Sequence, residues 1–255
     1  MIRAVLLAFS MAYWAFVAVS MPVFFAGALL LFLVTRPFDR RLVALHLYSC
    51  FWASSYVYCN PLWRARVLGR GKLPWRGPAV IVANHLSLVD ILVLYGLYRP
   101  FKWVSKQENF KLPFAGWNMS LNGYVRLARG DPKSIRGMMA RSLELLRQGS
   151  PLLIFPEGTR SATGELQGFK MGAFTLAREA GCPVIPVALT GTADGLPKRG
   201  LVLRNTMRAV AEVLDPIDPG EFQGADALRD AARSSIAAAI ERRRARAPAP
   251  AAQRA

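Results

Sequence analysis

Formal charge is absent from two long stretches near the start of the chain and then returns in alternation with short apolar runs. Ala4–Thr35 contains no Asp, Glu, Lys or Arg, and residues 42–63 contain none either, with His46 taken as neutral. A helix crosses the hydrocarbon core of a bilayer with about 20 apolar residues, so both stretches are long enough to enter a membrane. Pro22, near the middle of the first, allows a kinked span or a shallow hairpin. From Gly69 onward, short β-prone runs alternate with helical periodicity. The pattern predicts strands at 79–83, 101–105, 124–127, 152–155, 184–189 and 209–213, and helices at 88–97, 133–147 and 172–180. Gly149-Ser150-Pro151 and Gly181-Cys182-Pro183 close the last two helices with glycine-then-proline punctuation. The expected fold class is therefore α/β, a mostly parallel sheet flanked by helices and preceded by an apolar helical membrane-anchoring segment. Residues 1–63 form that segment, 64–220 the main domain, and 221–255 an Ala/Arg-rich helix (225–246) followed by a disordered Pro/Ala tail.

Charge narrows the partners. The net charge of +17 calls for something acidic: nucleic acid, anionic lipid or a phosphate-bearing substrate. Basic clusters beside apolar membrane segments favour anionic lipid, so a membrane partner is expected and nucleic acid is not. Arg3 followed by apolar residues fits the opening of a secretory signal. The run continues well past the usual apolar length of about 7–15 residues without a clear cleavage site, and the segment reads as retained. Arg36, Arg40 and Arg41 follow the first stretch; Arg64, Arg66, Arg70 and Lys72 follow the second. A simple crossing by residues 42–63 would push one of these clusters outward, against the preference of positive residues for the cytoplasmic side. The second stretch is thus expected to lie in the interface or re-enter the same leaflet, anchored by Tyr48, Trp52, Tyr56 and Trp63. Cys50, Cys59 and Cys182 show neither C-x-x-C spacing nor a cluster with histidine, so they are read as small hydrophobes and no metal site is expected.

The chemistry concentrates in two turns. Asn84-His85-Leu86-Ser87-Leu88-Val89-Asp90 sits where the 79–83 strand ends and the next helix begins. An imidazole there can take a proton from an alcohol, and a carboxylate on its far nitrogen would fix the tautomer and stabilise the imidazolium. The plainer reading is a capping box, Ser87 with Asp90, beside a surface histidine. On an ideal helix a five-residue step turns through roughly 140°, so His85 and Asp90 meet only if His85 precedes the first turn and folds back over it. Phe155-Pro156-Glu157-Gly158-Thr159-Arg160-Ser161 follows another strand and should open on the same carboxyl edge, where parallel sheets bind ligands. Gly158 lets backbone approach a ligand and Arg160 offers a planar fork for phosphate; a β-turn with an internal Glu157–Arg160 pair is the plainer alternative. Lys106, Arg126 and Arg129 add cations at two further strand ends. Such convergence suits an anionic, hydroxyl-bearing substrate.

The N-H-x-x-x-x-D turn, Gly123-Tyr124-Val125-Arg126-Leu127-Ala128-Arg129, the F-P-E-G-T-R-S loop and Val184-Ile185-Pro186-Val187 occur in an order and spacing that resemble the glycerolipid acyltransferases, in particular the 1-acyl-sn-glycerol-3-phosphate acyltransferases. Ser105-Lys106-Gln107-Glu108 and Phe169-Lys170-Met171-Gly172 are also similar to that family, whereas Ala128 stands where many members carry an acidic residue. The resemblance covers about residues 65–215. It implies that His85 is the general base and Asp90 its orienting partner, with Lys106, Arg129, Glu157, Gly158, Thr159 and Arg160 binding the acceptor. It implies acyl transfer from acyl-CoA or acyl-carrier protein to a lysophospholipid hydroxyl, without metal or other cofactor. The expected location is a bacterial inner membrane, with the catalytic domain on its cytoplasmic face. Another lyso-lipid acceptor, such as lyso-ornithine lipid, would preserve this chemistry; a non-catalytic basic membrane tether is the alternative from outside enzymology.

Overall fold

The computed structural model describes residues 2–196, 202–203 and 206–246. Its strands are β1 (Trp63–Leu68), β2 (Val80–Ala83), β3 (Lys102–Lys106), β4 (Val125–Leu127), β5 (Leu152–Ile154), β6 (Val184–Thr190) and β7 (Met207–Val213). Its helices are α1 (Ile2–Thr35), α2 (Val43–Tyr58), α3 (Val89–Tyr95), α4 (Ala115–Leu121), α5 (Pro132–Arg147), α6 (Gly172–Glu179) and α7 (Ala225–Arg246). One sheet runs in the order β1-β7-β6-β2-β5-β3-β4. The five strands from β6 to β4 are mutually parallel, while β7 is antiparallel to β6 and carries β1 parallel to itself. The mostly parallel α/β reading holds.

Period-2 alternation divides the core between the sheet's two faces. From β2, Ile81 and Ala83 join Leu153, Ile185 and Val187 in a cluster shared with α1, α2 and α3. Val80 and Val82 face the other way, with Leu152 and Val184, into a cluster closed by α5, α6 and α7. Helix α5 begins as its sequence directs, with the Asp131 side chain accepting from Lys133 N and Pro132 in the first turn.

Residues 2–35 form one helix that runs through Pro22, which selects the span over the hairpin of the two forms the proline allows. It is long and apolar enough to cross a membrane. One side packs on the domain: Tyr13 Oη donates to Tyr56 O at 2.8 Å, Phe24 stacks on Trp52 and Phe25 meets Trp117 edge-on. The other side leaves Val5, Met11, Val19, Val23, Leu30 and Leu33 exposed. Helix α2, expected to lie in the interface or re-enter the leaflet, instead buries Leu45, Cys50, Trp52, Ala53, Tyr56 and Val57 in the core. Its aromatics mimicked a membrane belt because a core helix and an interfacial helix have the same composition. Here Trp52 Nε1 donates to Tyr56 Oη at 2.8 Å, and Trp63 begins β1. Strand β1 was concealed because Arg64 and Arg66 read as flanking charge rather than as the outward positions of an alternating strand. Helix α4 also went unread. Cys50 and Cys182 are buried as expected, whereas Cys59 is exposed. The expected 225–246 helix is α7, and the expected tail at 247–255 lies outside the described residues.

Candidate active site

Strand β2 ends at Ala83, and Asn84 closes the seam that opens beyond it. Its buried side chain accepts from Leu189 N at 2.7 Å and donates to Leu189 O at 3.0 Å, continuing the β2–β6 ladder with an amide side chain. His85 is therefore launched from a fixed point. Its Nδ1 lies 2.7 Å from Asp90 Oδ2. The same oxygen accepts from Leu86 N at 2.6 Å and Ser87 N at 2.9 Å, while Ser87 Oγ accepts from Val89 N at 3.3 Å. The S-x-x-D turn and the imidazole–carboxylate pair are thus one structure. Asp90, in the first turn of α3, reaches back to the amides of Leu86 and Ser87 just before the helix, and that reach brings its oxygen to His85. An ionised Asp90 accepting from Nδ1–H leaves Nε2 as the basic nitrogen. Asp90 is wholly buried, and its second oxygen has no hydrogen-bond partner among the described residues.

The second loop binds directly to this turn. The β2–β5 register pairs Val80 with Leu152 and Val82 with Ile154, and the same offset carries His85 to Glu157. His85 N donates to Glu157 Oε1 at 3.0 Å, and Ser161 N donates to His85 O at 2.8 Å, so the loop satisfies both backbone groups of the histidine. Gln167 Nε2 donates to Glu157 Oε2 at 2.9 Å. Burial raises the Glu157 carboxyl above its ordinary range, against the opposing pull of these hydrogen bonds. The Phe155 ring stacks on the imidazole at 4.0 Å, and Trp103 stacks behind Phe155 at 5.7 Å. The loop does make a β-turn, Gly158 N donating to Phe155 O at 3.1 Å, but Glu157 turns towards His85 rather than pairing with Arg160, so the turn and the contact to the histidine coexist.

The sequence-predicted residues fall into two groups. His85, Asp90 and Glu157 are in direct contact. Gly158, Thr159 and Arg160 continue the same loop, with Gly158 at φ 74°, a left-handed conformation that favours glycine. Lys106 ends β3, exposed and 3.4 Å from Glu108, and Arg129 is exposed just past β4. These two stand at the same carboxyl edge but not in contact with His85. Among the described residues neither Arg129 nor Arg160 forms an ion pair. Arg126 is turned back onto Ser120 Oγ at 2.9 Å and over the Phe110 ring. Asn84, Gln167 and Lys170 were not singled out from sequence. Lys170 N donates to Pro156 O at 2.9 Å, and its ammonium lies against Gly158; its place in Phe169-Lys170-Met171-Gly172 was the available signal. His46, the other histidine, is buried with Nδ1 2.8 Å from Tyr124 Oη. It is structural.

Comparison with known proteins bears directly on this pair of loops. Residues 64–190 match the model of the family described as Acyltransferase, a span containing both. A 1-acyl-sn-glycerol-3-phosphate acyltransferase of Chlamydomonas reinhardtii is 37% identical over 229 residues, covering 89% of this chain and 67% of that protein. The chain belongs to the acyltransferase family. It is an O-acyltransferase by that kinship. A lyso-ornithine lipid O-acyltransferase of Pseudomonas aeruginosa is 40% identical over 129 residues, 50% of this chain and 48% of that protein. The chain spans from about half to two thirds of the length of such curated relatives. The crystal structure of the 1-acyl-sn-glycerophosphate (LPA) acyltransferase PlsC from Thermotoga maritima shares the fold, with a TM-score of 0.81 at 24% identity over 97% of this chain and 100% of that one.

Proposed function

We propose that this acyltransferase moves a fatty acyl group from acyl-CoA or acyl-carrier protein to the free hydroxyl of 1-acyl-sn-glycerol-3-phosphate, giving phosphatidic acid. The observation that carries the proposal is the 2.7 Å contact between His85 Nδ1 and the dehydrated Asp90 carboxylate. His85 Nε2 takes the hydroxyl proton as the acceptor oxygen attacks the thioester carbonyl. The tetrahedral intermediate collapses, the C–S bond breaks, and the thiolate leaves with the proton returned by the imidazolium. The chain's own residues suffice for this exchange, and no metal or cofactor is part of the proposal. Asp90, dry and held by two backbone amides, keeps the imidazole in one tautomer throughout.

The acceptor's phosphate is assigned to the loop after β5. Arg160 presents a guanidinium with no carboxylate partner among the described residues, and Lys170 adds an ammonium beside Gly158. Thr159 and Gly158 line the approach, while Lys106 and Arg129 supply cations from the neighbouring strand ends. Glu157 faces the histidine and serves the site by holding the His85 turn. Helix α1 anchors the protein, with its exposed face in lipid and the +17 charge favouring an anionic membrane, while α2 belongs to the core of the domain. Residues 64–220 carry the reaction, and the remainder forms the closing helix and tail. The proposed setting is a bacterial inner membrane, with the site on the cytoplasmic side where thioester donors are made.

A second acceptor has its own support. The similarity to a lyso-ornithine lipid O-acyltransferase, together with Ala128 before Arg129, is compatible with a headgroup other than phosphate. The test is acyl transfer by detergent-purified protein, offering labelled acyl-CoA and acyl-carrier protein against a panel of lyso-lipids, wild type beside His85→Ala. Product with 1-acyl-sn-glycerol-3-phosphate, lost in the variant, is expected. Product with lyso-ornithine lipid alone reassigns the acceptor, and no product with any acceptor overturns the reading.

A further inference from the structure

A continuous hydrogen-bonded path joins the C-terminal helix to the catalytic turn. Arg233, half-buried on α7, donates from Nε to Gln167 O at 3.0 Å and from Nη2 to Leu166 O at 3.2 Å. Gln167 passes the path on through its side chain to Glu157 Oε2 at 2.9 Å and to Thr159 O at 3.4 Å. Glu157 then accepts from His85 N at 3.0 Å through its other oxygen. A planar guanidinium forked onto two successive carbonyls fixes the orientation of the peptide between them, which a single donor does not do. The returning segment is exposed from Ala162 to Glu165, and Leu166 packing on the core and Lys170 N donating to Pro156 O at 2.9 Å hold its far end, so the fork fixes the stretch between them. A second contact from the same helix, Arg244 to Glu165 at 3.0 Å, lies in solvent and is screened.

The ordinary explanation for Arg233 is helix docking, and the packing of α7 weighs against it. The helix is seated by Leu228, Ala232, Ile236 and Ala239, all fully buried. Arg233 sits beside that apolar stripe and spends its donors on the loop rather than on the sheet. It also lies outside the 64–190 span matched to the family model.

We infer that Arg233 is a positioning residue for acyl transfer, acting through Gln167 and Glu157 to hold the His85 turn in its catalytic geometry. The inference rests on the acyltransferase reading for its catalytic consequence, but the mechanical link can be measured without any substrate. In the full chain, amide exchange is followed in Arg233→Ala, Arg233→Lys and Gln167→Ala. Peptides containing His85 and Ser161 should exchange faster in Arg233→Ala, by about tenfold, while Val80–Ala83 is unchanged. Faster exchange confined to residues 162–168, or none, would overturn the link. In acyl transfer, Arg233→Ala should lower kcat by about tenfold with both KM values near wild type. Arg233→Lys should recover part of the loss, and the Arg233→Ala/Gln167→Ala double variant should be no worse than Gln167→Ala alone. Additive losses, or an unchanged kcat in a folded Arg233→Ala protein, would show that the path does not serve catalysis. A wild type that transfers no acyl group sinks the functional reading, and the exchange measurement still decides the link.

Discussion

Asp90 Oδ2 receives three donors, from His85 Nδ1, Leu86 N and Ser87 N, and so ties the turn before α3 to catalysis in one atom. Asp90→Asn separates the two tasks. The amide oxygen can still accept from Leu86 N and Ser87 N, so the turn before α3 and the fold should be kept. Nδ1 of His85 can no longer donate to a carboxylate, and the productive tautomer loses its support. We expect kcat to fall by about 10²–10⁴-fold with thermal stability nearly retained, measured by steady-state transfer beside a melting curve. Arg160 works on another quantity. Removing a charged donor to phosphate costs about 1.5–3 kcal/mol, so Arg160→Ala should raise the acceptor KM roughly tenfold or more while leaving the donor KM alone. An unchanged acceptor KM would take Arg160 out of the phosphate site.

The elements that meet around the site are coupled by single polar side chains, and each coupling has a measurable consequence. Asn84 closes the β2–β6 seam with two buried hydrogen bonds. Its replacement by Ala leaves both backbone groups of Leu189 without those partners, and chemical denaturation should register a loss of about 1–3 kcal/mol. Lys102 joins the start of β3 to the end of α4 by donating Nζ to Asn122 O at 2.7 Å. Burial lowers this ammonium from 10.5 to about 7, with Asp39 pulling the other way. The folded state therefore binds this proton less readily than the unfolded chain. Its contribution to stability is fully present above the unfolded value and is lost as pH falls from about 10.5 to about 7. Stability measured across that window should rise with pH in the wild type, with a shallower slope in Lys102→Met.

For the whole molecule, α1 is a wall of the domain as well as an apolar surface. Tyr13 and Val17 lie in the same core cluster as Trp63 and Ile81, and Ser10 Oγ accepts from Leu203 N at 2.9 Å. A chain lacking residues 1–42 would expose Trp52, Tyr56 and Trp63 over the surface α1 now covers. We expect it to aggregate even in mild detergent, seen by size-exclusion chromatography. A monodisperse, active truncation would show that α1 anchors without supporting the fold. The two roles follow from its two sides, because Tyr13, Phe24 and Phe25 pack on the domain while the exposed side is mostly aliphatic.

How much of this was legible in the sequence follows from what each feature depends on. The parallel strands, their carboxyl edge and the two loaded turns were readable because strand alternation, glycine–proline punctuation and local spacing are properties of neighbouring residues. His85 and Asp90 lie close enough in sequence that only one turn separated the capping reading from the catalytic one. The side of the sheet taken by α2 was not readable, since burial against protein and burial in lipid demand the same apolar composition. Strand β1 was hidden because Arg64 and Arg66, its outward positions, follow an apolar stretch directly and read as flanking charge. The hold of Glu157 on His85 and of Arg233 on Gln167 also belongs to tertiary structure alone. Residues 72 and 66 positions apart are brought within a hydrogen bond only when the sheet register and the packing of α7 are set. Sequence determined which groups could do the chemistry; the fold decided which of them hold one another in place, because hydrogen-bond geometry depends on distances in space that local spacing does not contain.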